Sequence, residues 1–245
     1  VRNAFYGDDL AAIHAAGFTD IARAAAEQAQ VMLAPGSRVL EVGCGDGTTA
    51  GALGGAGHEV IGVDRSPAMV AIARRKHPSL EFEVGDDATL PGDLDDALDA
   101  VLAIGEVLAY VGEHDPEPLT NRLARLLRLL RPDGLLLFDL PTPSRIDDHR
   151  QHTWGIGPGW AVLVAAKAAG SRLTRTIITF RATPAGDYRR TDELHDLELH
   201  STEAVIDALH AAGARDPTAL PAYAGLQLPT GLCAYSARRR EPSPG

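Results

Sequence analysis

Apolar and polar positions along this chain alternate between a helical and a strand period. Leu10, Ile13 and Ala16, then Ile21, Ala25 and Val31, recur at helical spacing over residues 9–33, broken near Gly17 and stopped by Pro35-Gly36. The apolar run 38–43 reads as a buried strand, followed by helix 48–56, strand 59–63, helix 67–76 and strand 80–84. Ser66 is placed to cap the second of these helices, with Pro67 in its first turn. Asp99 to Ile104 reads as the next strand. Leu119 to Leu130 is a strongly amphipathic helix stopped by Pro132, and Gly134 opens the strand Leu135 to Leu140. This alternation predicts an α/β chain: a parallel sheet with helices on both faces and right-handed crossovers.

The pattern then changes. Trp160 to Ala169, Leu173 to Ala182 and Tyr188 to His200 read as three strands with only turn signals between them, so they predict an antiparallel meander inserted into the parallel layout. A helix from about Thr202 to Ala212, closed by Gly213, and a last strand, Gly231 to Ala237, complete the chain. The expected division is a helical lid at 1–34, a main domain at 35–144 and 201–238, an inserted β cap at 145–200 and a disordered tail at 239–245.

The chemistry concentrates where strand 38–43 ends. Residues 41–47 read Glu-Val-Gly-Cys-Gly-Asp-Gly, and Asp64 closes the following strand. Alternating glycines let the backbone turn sharply and let a ligand approach the main chain; a carboxylate at the end of the second strand suits two vicinal hydroxyls. A glycine loop plus a second-strand acid is a nucleoside-binding layout. A dinucleotide fingerprint wants G-x-G-x-x-G with pyrophosphate on the helix N-terminus. Here the spacing is G-x-G-x-G, Thr48 stands at the third position, and the acid Glu41 is adverse beside a pyrophosphate but suited to a cation. An NAD-dependent oxidoreductase is therefore the second reading, and a non-catalytic binding protein of the same fold the third.

The segment resembles motif I of class I S-adenosylmethionine-dependent methyltransferases, whose E/D-x-G-x-G-x-G pattern is filled by Glu41, Gly43, Gly45 and Gly47. The resemblance covers about residues 36–140 and 202–238. It implies a Rossmann-like, mostly parallel seven-stranded sheet and S-adenosyl-L-methionine as cofactor. It implies that Gly43, Cys44 and Gly45 present backbone to the cofactor, and that Asp64, beside Arg65, binds the ribose. Glu41 is expected either to accept from the methionyl ammonium or to cap loop amides. Asp86, after Gly85, is the expected acceptor for the adenine amine, with Asp87 as its rival and Ala88 beside them. Met69 is a candidate adenine wall, and Ile104, Gly105 and Glu106 line the methionine moiety. Tyr6 matches a tyrosine that folds over the cofactor in such enzymes, and His14 falls where a second aromatic often stands.

Methyl transfer needs alignment, exclusion of water and, for a hydroxyl acceptor, a base. The candidate bases are His14, Asp139, His149, His152 and His195; Glu193 and His195 share one face of their strand, since side chains repeat every second residue. The catalytic choice is His195, with His14 second. Trp154 and Trp160 are candidate walls for an apolar acceptor.

Bulk properties narrow the partners. Hydrophobic content of 45% with 23% charged residues fits a globular chain. A net charge of −10, with short basic runs at Arg74 to Lys76 and Arg238 to Arg240, argues against nucleic acid and for a small-molecule acceptor. No run approaches the roughly 20 apolar residues that span a bilayer, and no signal-like segment opens the chain. The two cysteines fit a reduced, cytoplasmic protein, and no metal-ligand spacing occurs. A monomer or homodimer acting in bacterial secondary metabolism is the expectation.

Overall fold

The computed structural model describes residues 5–90, 94–111, 117–145 and 152–241. Two helices, α1 (Asp8–Gly17) and α2 (Asp20–Met32), precede the alternating core: β1 (Arg38–Val42), α3 (Thr48–Gly55), β2 (Glu59–Asp64), α4 (Pro67–Lys76), β3 (Glu81–Val84), β4 (Leu98–Ala103), α5 (Leu119–Leu129) and β5 (Leu130–Pro141). The insert contains β6 (His152–Gly157), β7 (Trp160–Ala169), β8 (Arg172–Ala182) and β9 (Tyr188–Glu198). Then come α6 (Thr202–Ala211), β10 (Ala214–Leu220), the short pair β11 (Ala222–Tyr223) and β12 (Leu226–Gln227), and β13 (Leu232–Arg239).

The main sheet has seven strands in the order β10-β13-β5-β4-β1-β2-β3. Pairing is parallel from β5 to β3, and β13 is antiparallel to both β5 and β10. Its faces are covered separately. Buried alanines of α2 pack with Ala50, Leu53, Val70 and Ala73 of α3 and α4 on one side. On the other, Leu123, Leu126, Val205 and Leu209 of α5 and α6 cover Leu40, Val101 and Phe138. Ser66 caps α4 as expected, its hydroxyl accepting from the Met69 amide at 3.1 Å.

Four details differ from the sequence reading. The meander has four strands, since β6 pairs with β7 along its length. Gly155 and Gly157 obscured it: they interrupt the β-branched pattern because Trp160 packs where a side chain at Gly157 would be and Phe18 crowds Gly155. β10 was hidden by Asp216-Pro217, which form a bulge with Asp216 at a φ of 51°. β5 begins at Leu130, with Arg131 to Gly134 looped out of register rather than separating helix from strand. Arg239, expected in a disordered tail, is the last residue of β13, paired with Ala214 and bonded through its guanidinium to the Arg128 carbonyl at 2.9 Å. Among the described residues no helix is long and apolar enough to cross a membrane.

Helix α1 joins the two sheets. Its Leu10 and Ile13 bury against Val162 and Ile177 of the insert, and Asp9 is ion-paired with Arg181 and Arg189. The meander thus lies over the ends of the main strands with α1 wedged at its edge.

Candidate functional site

A cavity of about 480 Å³ opens between the carboxyl ends of the parallel strands and the inner face of the meander. In doubly wound sheets ligands bind at this edge. Gly43, Gly45 and Gly47 all have positive φ, which disfavours any side chain there, and a Cβ on Gly43 would collide with Val107. The loop is fixed to its neighbour: Gly45 donates its amide to Asp64 Oδ2 at 2.8 Å, while Oδ1 accepts from Ser66 at 2.8 Å. Each Asp64 oxygen keeps a lone pair, and the residue lines the cavity. Burial raises the Asp64 carboxyl above its ordinary value, against these two amides, which lower it.

The cavity brings together Tyr6, His14, Gly43, Gly45, Asp64, Arg65, Met69, Asp86, Asp87, Ile104, Gly105, Glu106 and His195. Three expected residues lie elsewhere. Glu41 is buried in β1 near the start of α3 and does not line the cavity; its Oε2 has no hydrogen-bond partner. Cys44 faces the core, packed with Val39 and Phe82. Ala88 donates its amide to Asp86 Oδ1 at 3.1 Å and shapes that residue from outside.

Asp86 and Asp87 separate cleanly. Asp87 is gripped by Arg122 at 2.6 Å and Arg125 at 2.7 Å; burial alone would raise its carboxyl, but these cations hold it below the usual range. Asp86 is left with Oδ2 3.6 Å from Arg65, a guanidinium that also lies over the Phe5 ring.

Opposite this edge stand side chains from distant parts of the chain. Glu193 accepts the amides of Tyr6 and Gly7, each at 2.9 Å, and meets His195 Nε2 at 2.8 Å. The carboxylate contact assigns the proton to Nε2, leaving Nδ1 as an acceptor that is buried and without a partner. The His195 imidazole stacks on Phe5 at 5.2 Å and lies among Tyr6 and Tyr110, whose hydroxyls are 3.4 Å apart. His14 is half-buried, its Nδ1 likewise buried and unpartnered, and desolvation pushes its imidazole below the ordinary value.

Between the two edges, Glu106 sits in the left-handed region at a φ of 63°. Both its amide and that of Gly105 are held by Asp139, a fully buried carboxylate that also accepts from Tyr223 at 3.1 Å. Burial pushes the Asp139 carboxyl up to about 6. This residue therefore positions the loop after β4 instead of acting as a base. The Glu106 side chain meets Arg145 Nε at 3.1 Å and Arg175 at 2.5 and 3.0 Å. Sequence reading did not find Arg145, Arg175 or Tyr110; only the alternation of β8, which puts Arg175 on the face of Ile177, carried any signal.

Other candidates fall away from the cavity. His152 and Trp154 are exposed on β6, and Trp160 packs on Gly17 and Phe18 at the end of α1. His149 lies outside the described residues. Both cysteines are free, and among the described residues no group of three potential ligands could hold a metal ion.

A family model described as a methyltransferase domain matches residues 39–134. Over 199 residues the chain is 32% identical to a trans-aconitate 2-methyltransferase of Methylobacterium nodulans, covering 76% of this chain and 72% of that one. The sugar N-methyltransferase KedS8 of a Streptoalloteichus species superposes with a TM-score of 0.75 at 26% identity, over 98% of both chains. The CcbJ methyltransferase of Streptomyces caelestis shares the fold, with a TM-score of 0.77 at 21% identity over 98% of this chain and 100% of that one.

Proposed function

The chain belongs to the class I S-adenosylmethionine-dependent methyltransferases, and from that premise we propose that it methylates an O–H or N–H group of a small-molecule acceptor, with His195 as the base. One observation carries this reading: a single cavity joins the glycine loop, Asp64 and Asp86 at one end to the Glu193–His195 pair at the other.

The residues present fit the cofactor. Gly45 leaves open space beside the loop, Asp64 has acceptor capacity for two ribose hydroxyls, and Asp86, unlike Asp87, is free to receive an adenine amine. Met69 and Ile104 supply apolar walls. These roles follow the strand order: Asp86 follows β3, Asp64 ends β2 and the glycines follow β1, so the reacting end is directed toward β4 and β5. When bound, the cofactor supplies an electrophilic methyl group, whose bond to sulfur breaks as the acceptor lone pair attacks, the electron pair staying on sulfur.

The protein aligns, dries and deprotonates. Phe5, Tyr6 and Tyr110 close around His195 and exclude water from it. His195 Nδ1 takes the acceptor's proton, and Glu193, bonded to Nε2, fixes the ring and stabilises the imidazolium. Tyr6 and α1 form the lid, tied to this pair through the Glu193 contacts. Asp139 holds the backbone of Gly105 and Glu106 in position.

The test combines calorimetry of S-adenosylhomocysteine binding with turnover on a panel of hydroxy and amino acceptors. Nanomolar to micromolar product binding, with turnover abolished by His195→Asn, is expected. Turnover unaffected by that change would remove His195 from the chemistry.

A further inference from the structure

Two guanidinium groups share one carboxylate on the β5 and β8 side of the cavity. Arg145 follows β5, Arg175 lies in β8, and the hydrogen bonds of Arg175 among the described residues all go to Glu106. A guanidinium has five N–H donors, so the pair brings about ten; Glu106 receives three of them, and the Thr230 carbonyl accepts one from Arg145 at 3.4 Å. The remaining cavity arginines are differently placed: Arg65 stands by Asp86 and Arg122 is bound to Asp87. Arg175 is largely buried, with a side-chain exposure of 16%. Both residues line the cavity, and neither has a donor sealed off among protein atoms, so the donors left over face the space a ligand would fill.

Position adds direction. Arg175 and His195 are direct cross-strand partners, so their side chains rise from the same face of the meander with Cβ atoms roughly 5 Å apart. Ala166 completes that row, and Val164 and Ile177 occupy the next one, giving a short apolar floor beside two polar heads. We propose that Arg145 and Arg175 form a carboxylate clamp, so that the methyl acceptor is a small organic acid anchored by its carboxylate with its nucleophilic group at His195. This assignment rests on the function proposed above. It makes Glu106 an internal stand-in for the acceptor: it neutralises the clamp when empty and shares it when filled.

The strongest competing occupant is the cofactor's own carboxylate. The cofactor's methionine end is expected at Gly105 and Glu106, next to the clamp, so the two occupants are told apart by whether the acids bind together with S-adenosylhomocysteine or displace it.

The experiment titrates malonate, citrate and trans-aconitate, and the uncharged trimethyl ester of the last, into the full chain with and without saturating S-adenosylhomocysteine. At least one acid is expected to bind in the presence of S-adenosylhomocysteine, and the ester at least tenfold more weakly. Arg175→Gln should weaken the acid tenfold or more while leaving S-adenosylhomocysteine affinity within twofold, and Arg175→Lys should restore part of the loss. Glu106→Gln should tighten acid binding by removing the internal competitor. Arg145→Gln, at the more exposed member, repeats the measurement should the Arg175 variants fail to fold. The clamp is overturned if no acid binds, if the ester binds equally well, if neither arginine change matters, or if the acids compete with S-adenosylhomocysteine. Loss of S-adenosylhomocysteine binding in the unaltered protein would instead strike the methyltransferase reading, while titration without it still reports on the clamp.

Discussion

Glu193 Oε2 lies 2.8 Å from His195 Nε2, and the same carboxylate receives the amides of Tyr6 and Gly7 from the start of the chain. One buried acid therefore orients a histidine and fastens the N-terminal segment over it. The same carboxylate thus fixes both the ring and the segment that lies against it. Strand alternation makes this possible, since residues two apart in β9 share a face.

His195→Asn keeps a polar side chain of similar reach but removes the proton acceptor. The turnover number should fall about 10²- to 10⁴-fold, the range that general base catalysis supplies. S-adenosylhomocysteine affinity by calorimetry should stay nearly constant. A parallel loss of cofactor affinity would mean that the ring serves the lid and not the chemistry.

Asp64 is the charged acceptor at the centre of the cofactor edge. Asp64→Ala should weaken S-adenosylhomocysteine binding by about 2–4 kcal/mol, the scale of charge-assisted hydrogen bonds lost together. Unchanged calorimetric titration would exclude the ribose role.

Adjacent acids allow a sharper comparison. Asp86→Asn should reduce cofactor affinity with little effect on melting temperature. Asp87→Asn breaks the buried contact to Arg122 and Arg125 and should destabilise the fold by about 3–5 kcal/mol, the usual cost of orphaning buried charge. Denaturant unfolding of both variants, with cofactor titration, checks the division; reversed effects would exchange the two roles.

The sheet, the glycine loop and the acids Asp64 and Asp86 that line the cavity with it were legible because each is local: a strand, a turn and an acid at fixed spacing. The features that escaped are those in which a rule is broken for a distant partner. β6 carries Gly157 because Trp160 needs the room, and β10 carries Pro217 at a bulge. Glu41 shows the converse. Its spacing matches a ligand-facing acid, yet it is buried near the start of α3 and does not line the cavity. Arg145 and Arg175 meet Glu106 across 39 and 69 residues of chain, separations at which pattern reading has no purchase.

Glu41 supplies the last test. Burial pushes its carboxyl up to about 8 from an ordinary value of 4.5, with the Thr49 hydroxyl and Ala50 amide only partly opposing the shift. Between those two values the folded protein keeps a proton that the unfolded chain has lost. The associated stability is thus fully present below about pH 4.5 and is lost as pH rises through about 8. At pH 7 the penalty reaches at most about 3 kcal/mol, from 1.36 kcal/mol for each unit of displacement. Glu41→Gln removes the titration while keeping the size and shape of the side chain. The variant should match the parent near pH 5 and exceed it increasingly toward pH 8, measured by urea unfolding without cofactor. A variant less stable by the same amount at every pH would show that Glu41 is ionised in the fold and held by those donors.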